Sequence, residues 1–151
     1  MNAAVLYASS HGKTRKVIAR VMELLQIRPD VIDVKSVSDK ESLLKYGFLL
    51  VFCPNYGDGE LQQDMEVFLP EFNFDLEGKY FTICELGSYN GYDDFHFGVV
   101  TIIRQHLLGL HAREFCEPLS LDTLPRTNWG HLDDWVKLLN SKIERERLRA
   151  D

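Results

Sequence analysis

The stretch "FLLVFCP", residues 48–54, is almost wholly apolar and stops at a proline. A strand with no polar face is one that is covered on both sides, which is the habit of strands inside a parallel sheet. The next residues, "NYGDGELQ" (55–62), are turn-prone and polar. An apolar strand that empties into a glycine-rich loop is the unit from which open α/β sheets are built, so the rest of the chain is read against it.

The same rhythm runs in both directions. Upstream, "NAAVLYA" (2–8) is a short apolar run, and Val17, Ile18, Val21, Met22, Leu24 and Leu25 then recur at helical spacing from about Thr14 until Pro29. "VIDVKSV" (31–37) alternates and reads as a brief peripheral strand. "SDKESLLKY" (38–46) reads as a helix with a capping box from Ser38 to Glu41. Downstream, 62–69 can be helical before Pro70, and "KYFTICELG" (79–87) is a strand. Residues 93–110 form a long helical pattern, 112–121 a last strand with polar interruptions, and 134–148 a closing helix. The order βαβαβαβαβα, without repeats or a linker, predicts one domain over residues 1–151: a parallel sheet with helices on both faces.

Composition narrows the class. The chain has 151 residues, is 45% hydrophobic and carries a net charge of −6. That is enough for one substantial core. No apolar run reaches about 18 residues, so no membrane span is expected, and "MNAAVLYASSHGK" lacks the basic start of a signal peptide. Cys53, Cys84 and Cys116 lie in apolar stretches without metal-ligand spacing, which suits buried thiols and a cytoplasmic protein. Between Pro54 and Phe97 there are ten acidic residues and one lysine, whereas Lys13, Arg15, Lys16 and Arg20 precede the first acid. An acidic chain argues against nucleic acid and suits a basic protein partner.

In such a sheet, ligands bind beyond the carboxyl ends of the strands. Those ends here are "SSHGKT" (9–14), "PNYGDGELQ" (54–62) and "GSYNGYDD" (87–94). The first ends in the "GKT" of a nucleoside-triphosphate loop, but Tyr7 stands where that pattern needs its first glycine. It remains a good anion cradle. It opens a helix whose first N–H groups lack helical partners, Ser9, Ser10 and Thr14 add hydroxyls, and Gly12 allows close approach. The second loop sets Tyr56 beside Gly57, Asp58 and Gly59. The third brackets Asn90 and Gly91 with Tyr89 and Tyr92. A phosphate site beside two aromatic loops describes a mononucleotide with a large planar ring.

These three loops together resemble those of the flavodoxins, the FMN-binding flavodoxin-like domains. Ser9 to Thr14 is similar to that family's phosphate loop, S/T-x-T-G-x-T, with His11 in place of a threonine. Residues 54–61 are similar to its second loop, T-W/Y/F-G-x-G-E-L. Residues 86–92, on to Phe95, are similar to its third loop, G-L/C-G-D-x-x-x-Y, with Ser88 in place of the aspartate. The likeness covers the whole chain and implies a three-layer α/β/α sandwich on a five-stranded parallel sheet of order 2-1-3-4-5, of the short-chain type because 111–126 leave no room for an insertion. It implies that Ser9, Ser10, His11, Gly12, Lys13 and Thr14 surround the FMN phosphate and that Tyr56 and Tyr92 flank the ring. Gly57 and Asp58 would lie near its N5, where the family turns a peptide carbonyl inward, and Pro54, Asn55 and Gly59 would belong to the same cofactor-binding loop. The backbone of residues 86–92, with Leu86, Gly87, Ser88, Tyr89 and Gly91, would contact the pyrimidine side of the ring, and Phe95 would also belong to the cofactor-binding loop.

The function implied is a low-potential one-electron carrier that binds FMN non-covalently, passes between semiquinone and hydroquinone, and has no substrate chemistry of its own. Its partners would be an NAD(P)H-dependent flavodoxin reductase or another basic redox protein, and carriers of this kind are usually monomers. Asp58, Glu60, Glu85, Asp93 and Asp94 would supply the acidic surround of the flavin. Two other readings stay open at this point: a small FMN-dependent NAD(P)H or quinone reductase, and a flavodoxin-like interaction module that no longer binds FMN. No acid–base pair is apparent at the crevice, and His96, His106, His111 and His131 are scattered.

Overall fold

The computed structural model describes residues 2–57, 59–87 and 97–150. Strand β1 (Ala3–Tyr7) leads through the first loop into helix α1 (Lys13–Leu24), and β2 (Asp30–Asp33) returns at the sheet edge. Strand β3 (Phe48–Pro54), helix α2 (Gln63–Glu71), strand β4 (Tyr80–Gly87) and helix α3 (Gly98–Gly109) come next. The chain closes with β5 (Arg113–Glu114), β6 (Leu119–Asp122) and α4 (Trp129–Ala150). All ladder pairs are parallel, and the order is β2-β1-β3-β4-β5, with β6 also beside β4. The three-layer sandwich and its 2-1-3-4-5 order agree with the sequence expectation.

The strand whose composition points to the fold lies at its centre. Phe48 through Cys53 are buried, because β3 is flanked by β1 and β4 and covered on each face. One face packs Phe48, Leu50 and Phe52 with α1 and α4 residues such as Val17, Val21, Trp135 and Leu139. The other packs Leu49, Val51 and Cys53 with α2 and α3 residues such as Met65, Phe68, Ile103 and Leu107. Alternation along one strand therefore feeds two cores.

Six elements differ from the expectation. Residues 31–37 are not one strand. Asp33 Oδ1 accepts from the Lys35 N–H at 3.1 Å and turns Val34–Ser36 into a short 3₁₀ segment. The segment around residue 42 is also 3₁₀ (Lys40–Lys45), and its cap is Asp39, whose carboxylate accepts from Glu41 N–H, and not Ser38. Pro70 lies inside the last turn of α2 and does not end it. Helix α3 starts only at Gly98, after Phe97 at φ 62°, so the pattern beginning at residue 93 overstates its length.

The last strand is broken in two. Phe81 faces Glu114, but three residues on Cys84 faces Leu119, so the edge strand carries two more residues than its partner over the gap. Residues 115–118 take up the excess as a bulge. Pro118 has no N–H to give the ladder, and the buried Thr82 hydroxyl bridges the break by donating to Cys116 O at 3.2 Å. Helix α4 begins five residues earlier than its apolar pattern does. Asn128 Oδ1 accepts from His131 N–H at 3.1 Å, the geometry of an N-cap. Asp133 of α4 pairs with Arg20 of α1 through two bonds of 2.9 and 3.1 Å. No helix among the described residues is long and apolar enough to cross a membrane.

Candidate functional site

Strands β1, β3 and β4 end side by side because their register is parallel, and so the loops after them converge. Between them lies a cavity of about 430 Å³, within the range of small-molecule sites. Its walls come from the first loop (Ser9, Ser10, His11, Lys13, Thr14), the second (Pro54, Asn55, Tyr56, Gly57) and the end of β4 (Leu86, Gly87). Eleven of the residues named from sequence thus share one cavity. Asp58, Ser88, Tyr89, Gly91, Tyr92 and Phe95 lie outside the described residues, as do Asp93, Asp94 and His96.

The first loop is shaped as an anion cradle. Gly12 is the N-cap of α1 at φ 84°, a left-handed conformation that glycine adopts without penalty, and it offers no side chain to the helix end. Its own N–H donates to Ser9 Oγ at 3.1 Å. The outward N–H groups of the first turn and the positive end of the helix dipole are left for an external acceptor. Ser10 is held from behind: its Oγ accepts from the Tyr56 hydroxyl at 2.6 Å and from Gln62 Nε2 at 3.2 Å. With both lone pairs used, its hydroxyl hydrogen is the group available to a third partner. Thr14 is buried and His11 exposed, both on the cavity wall.

The second loop is a tight, cross-braced turn. Asn55 bridges Leu61, Tyr56 N–H donates to Glu60 O at 3.2 Å, and Glu60 N–H donates to Gly57 O at 3.0 Å. Tyr56 lines the cavity and is 47% exposed, so its ring presents a flat face. Gly59, at φ 78°, does not line the cavity. It backs onto Gly98 at the start of α3, where a Cβ on Gly98 would lie 2.7 Å from Gly59 Cα. Gln62 is the N-cap of α2, accepting from Asp64 and Met65 N–H groups at 2.6 and 3.2 Å.

Two further wall residues lie outside the sequence expectation. Thr123 and Leu124 come after β6 and also line the cavity. Thr123 N–H donates to Gly87 O at 2.9 Å, and its carbonyl accepts from Lys13 Nζ at 3.3 Å, tying the first loop to the last. The rule that selects the other three loops, position at the carboxyl end of a strand, applies equally to "LSLDTL". The polar interruptions of that strand hide where it ends. The peptide between Leu124 and Pro125 is cis.

Charge around the site differs in one respect from expectation. Glu85 is not a surface acid. It is fully buried, its Oε2 accepts from Asn55 Nδ2 at 3.0 Å, and its Oε1 accepts from Val100 N–H at 2.9 Å. Cys53 and Cys84 lie beneath the loops, and burial pushes the Cys53 thiol up to about 12 and the Cys84 thiol well above its usual value. Neither offers a thiolate at neutral pH. His106 and His111 are remote, the first bonded to Phe72 O at 2.8 Å and the second to Asp75 at 3.0 Å. Among the described residues no three histidine, cysteine or carboxylate side chains cluster to hold a metal ion.

A cavity lined by hydroxyls, a lysine and a helix N-terminus together with Pro54, Tyr56, Leu86 and Leu124 fits a phosphorylated ligand with a flat apolar ring. The Flavodoxin family model matches residues 5–135. A flavodoxin of Synechocystis sp. is 28% identical over 112 residues, which cover 72% of this chain and 65% of that protein. Flavodoxin 1 of Azotobacter vinelandii is 34% identical over 90 residues, covering 56% of this chain and 52% of that protein. The matched part thus spans between half and two thirds of these relatives. Among solved structures, a Streptococcus pneumoniae flavodoxin superposes with a TM-score of 0.81 at 21% identity, covering 97% of this chain and 99% of that one. Flavodoxin 2 of Bacillus cereus superposes with a TM-score of 0.80 at 24% identity, covering 94% and 99%.

Proposed function

The chain belongs to the flavodoxin family, and from that premise we propose that it is a low-potential one-electron carrier that holds FMN non-covalently in the cavity at the carboxyl ends of β1, β3 and β4. The observation that carries this reading is that one cavity is lined both by the hydroxyls and lysine of the first loop and by Pro54, Tyr56, Leu86 and Leu124 from the others. FMN, when bound, supplies the electron chemistry, so the protein needs only to bind, orient and shield.

Each residue then has a defined task. Ser9, Ser10, Thr14 and the first N–H groups of α1 receive the phosphate, and Lys13 stands beside them as a cation braced on Thr123 O. Tyr56 covers one ring face while its hydroxyl orients Ser10. The Gly57 carbonyl is engaged by Glu60 N–H, so turning it toward the cavity exchanges one hydrogen bond for another, at little net cost. The third loop, with Ser88, Tyr89, Gly91, Tyr92 and Phe95, is proposed to cover the remaining face. Exposed acids such as Glu60 give a negative rim that suits a basic partner, an NAD(P)H-dependent reductase or another redox protein, met as a monomer in the cytoplasm.

The test is a pair of fluorescence titrations, with FMN and with riboflavin. The cradle predicts tight one-to-one binding of FMN and much weaker binding of riboflavin, which lacks the phosphate. Equal affinities would deny the cradle its role, and no binding of either would return the chain to the class of cofactor-free interaction modules.

A further inference from the structure

Glu85 is a carboxylate with no exposed surface in the middle of the fold. Such a group is costly to bury unless its oxygens are satisfied. Here each oxygen serves a different element. Oε1 accepts from Val100 N–H at 2.9 Å, the third residue of α3, a helix whose N-cap, Phe97, makes no side-chain cap. Glu85 thus caps α3 from a neighbouring strand, at the positive end of that helix. Oε2 accepts from Asn55 Nδ2 at 3.0 Å.

Asn55 carries the connection onward. It is 6% exposed, and its Oδ1 accepts from Gly57 N–H at 2.9 Å. Its own N–H donates to Leu86 O at 2.7 Å. With Tyr56 N–H given to Glu60 O, the three consecutive N–H groups of residues 55–57 are all committed inward. The Gly98–Gly59 backbone contact presses the same helix end against the same loop. A continuous path therefore runs from the start of α3 through Glu85 and Asn55 to Gly57 on the cavity wall.

We propose that Glu85 is a positioning residue: through Asn55 it fixes the Gly57 N–H, and with it the cavity-facing edge of the second loop, and so sets the affinity for flavin and the potential of the first reduction step. The proposal rests on the reading of this cavity as an FMN site, but its mechanical part does not need the flavin. Replacing Glu85 with Gln keeps shape and removes one acceptor. A glutamine has one carbonyl oxygen for the two donors Asn55 Nδ2 and Val100 N–H, and if the Asn55 amide reverses to match it, Gly57 N–H loses its acceptor instead. One bond of the path must break.

The experiment measures amide exchange by NMR in the flavin-free wild type, Glu85→Gln and Asn55→Ala, and FMN affinity and potential in the same proteins. Gly57 N–H should be protected in the wild type and should exchange at least about tenfold faster in both variants, whereas Val100 N–H, at the helix end that keeps the glutamine oxygen, should stay protected. FMN binding should weaken roughly tenfold, as for loss of one charge-assisted hydrogen bond, in each variant. The double variant should be little worse than Asn55→Ala alone, and the first reduction potential should move in both single variants. Release of Val100 in Glu85→Gln with Gly57 exchange, affinity and potential unchanged would overturn the proposal and leave Glu85 a helix cap alone. If Glu85→Gln does not fold, the wild type decides: fast exchange of Gly57 N–H and of the Asn55 side-chain amide would refute the path, and protection of both that Asn55→Ala abolishes at Gly57 would support it. Failure of the wild type to bind FMN would refute the functional reading, while the exchange data would still decide the clamp.

Discussion

Replacing Gly98 with alanine tests how closely helix α3 seats against the second loop. The new Cβ would lie 2.7 Å from Gly59 Cα and 3.0 Å from Gly59 N, with Asn55 Nδ2 at 3.6 Å. The nearest atoms are backbone on both sides, so relief requires moving the helix start or the loop. Forcing a methyl into a packed site costs typically about 1–3 kcal/mol. Alanine returns up to about 1 kcal/mol over glycine through helix propensity. The net expectation is a loss of about 1–2 kcal/mol, which for a domain of this size lowers Tm by roughly 2–8 °C. Gly109, at the far end of the same helix, would give a new Cβ no neighbour within 4 Å, so Gly109→Ala isolates the propensity effect and should be neutral or slightly stabilising. Urea unfolding of the flavin-free proteins gives both numbers, and FMN titration should show Gly98→Ala, but not Gly109→Ala, weakened. Equal stability of Gly98→Ala and wild type, with FMN affinity intact, would refute the claim that this contact sets the loop.

Tyr56→Phe keeps the ring and removes the bond to Ser10. FMN affinity should fall by about 0.5–1.5 kcal/mol in a fluorescence titration, and no change would mean that Ser10 is oriented without it. Lys13→Met should weaken FMN more than riboflavin, and the difference should shrink as salt rises. Equal losses for both ligands would separate Lys13 from the phosphate. Arg20, through its hydrogen bond first and its charge second, holds the Asp133 carboxyl below its usual value. A lowered carboxylate stabilises the fold above its unfolded pKa of about 3.9. The stability difference between wild type and Asp133→Asn should therefore be full near neutral pH and vanish as pH falls through that value and below, in acid unfolding curves. Cys53, Cys84 and Cys116 are all buried. A thiol reagent at pH 8 should label none of them in the native protein and all three in denaturant, and rapid native labelling would contradict their placement.

What can be read from the chain, and what cannot, divides along physical lines. Strand β3 is legible because burial on both faces leaves an unbroken apolar run, and the first two glycine-rich loops are legible because each comes directly after an apolar strand. The cradle and the second loop meet at one cavity, as a parallel sheet requires. Boundaries set by a single side-chain hydrogen bond are not legible: Asp33 curtails β2, Asp39 caps the 3₁₀ turn after it, and Asn128 begins α4 before its apolar stripe does. The broken fifth strand depends on Thr82, which lies in another strand. In sequence, Glu85 is one more acid in an acidic stretch. Only the fold, by packing α3 and Asn55 against it, gives each of its oxygens a donor. Thr123 and Leu124 reach the site by a register that the bulge at 115–118 determines, and no local pattern displays it.

The central claim is that this cavity holds FMN and makes it a one-electron carrier. A spectroelectrochemical titration of the FMN-loaded protein under anaerobic conditions tests it most directly. Two resolved one-electron steps are expected, the second at clearly lower potential, because acidic residues near the ring oppose a second negative charge there. A single two-electron step on bound flavin would contradict the carrier and support a reductase, and reduction at the potentials of free FMN would show that the cavity does not hold the cofactor at all.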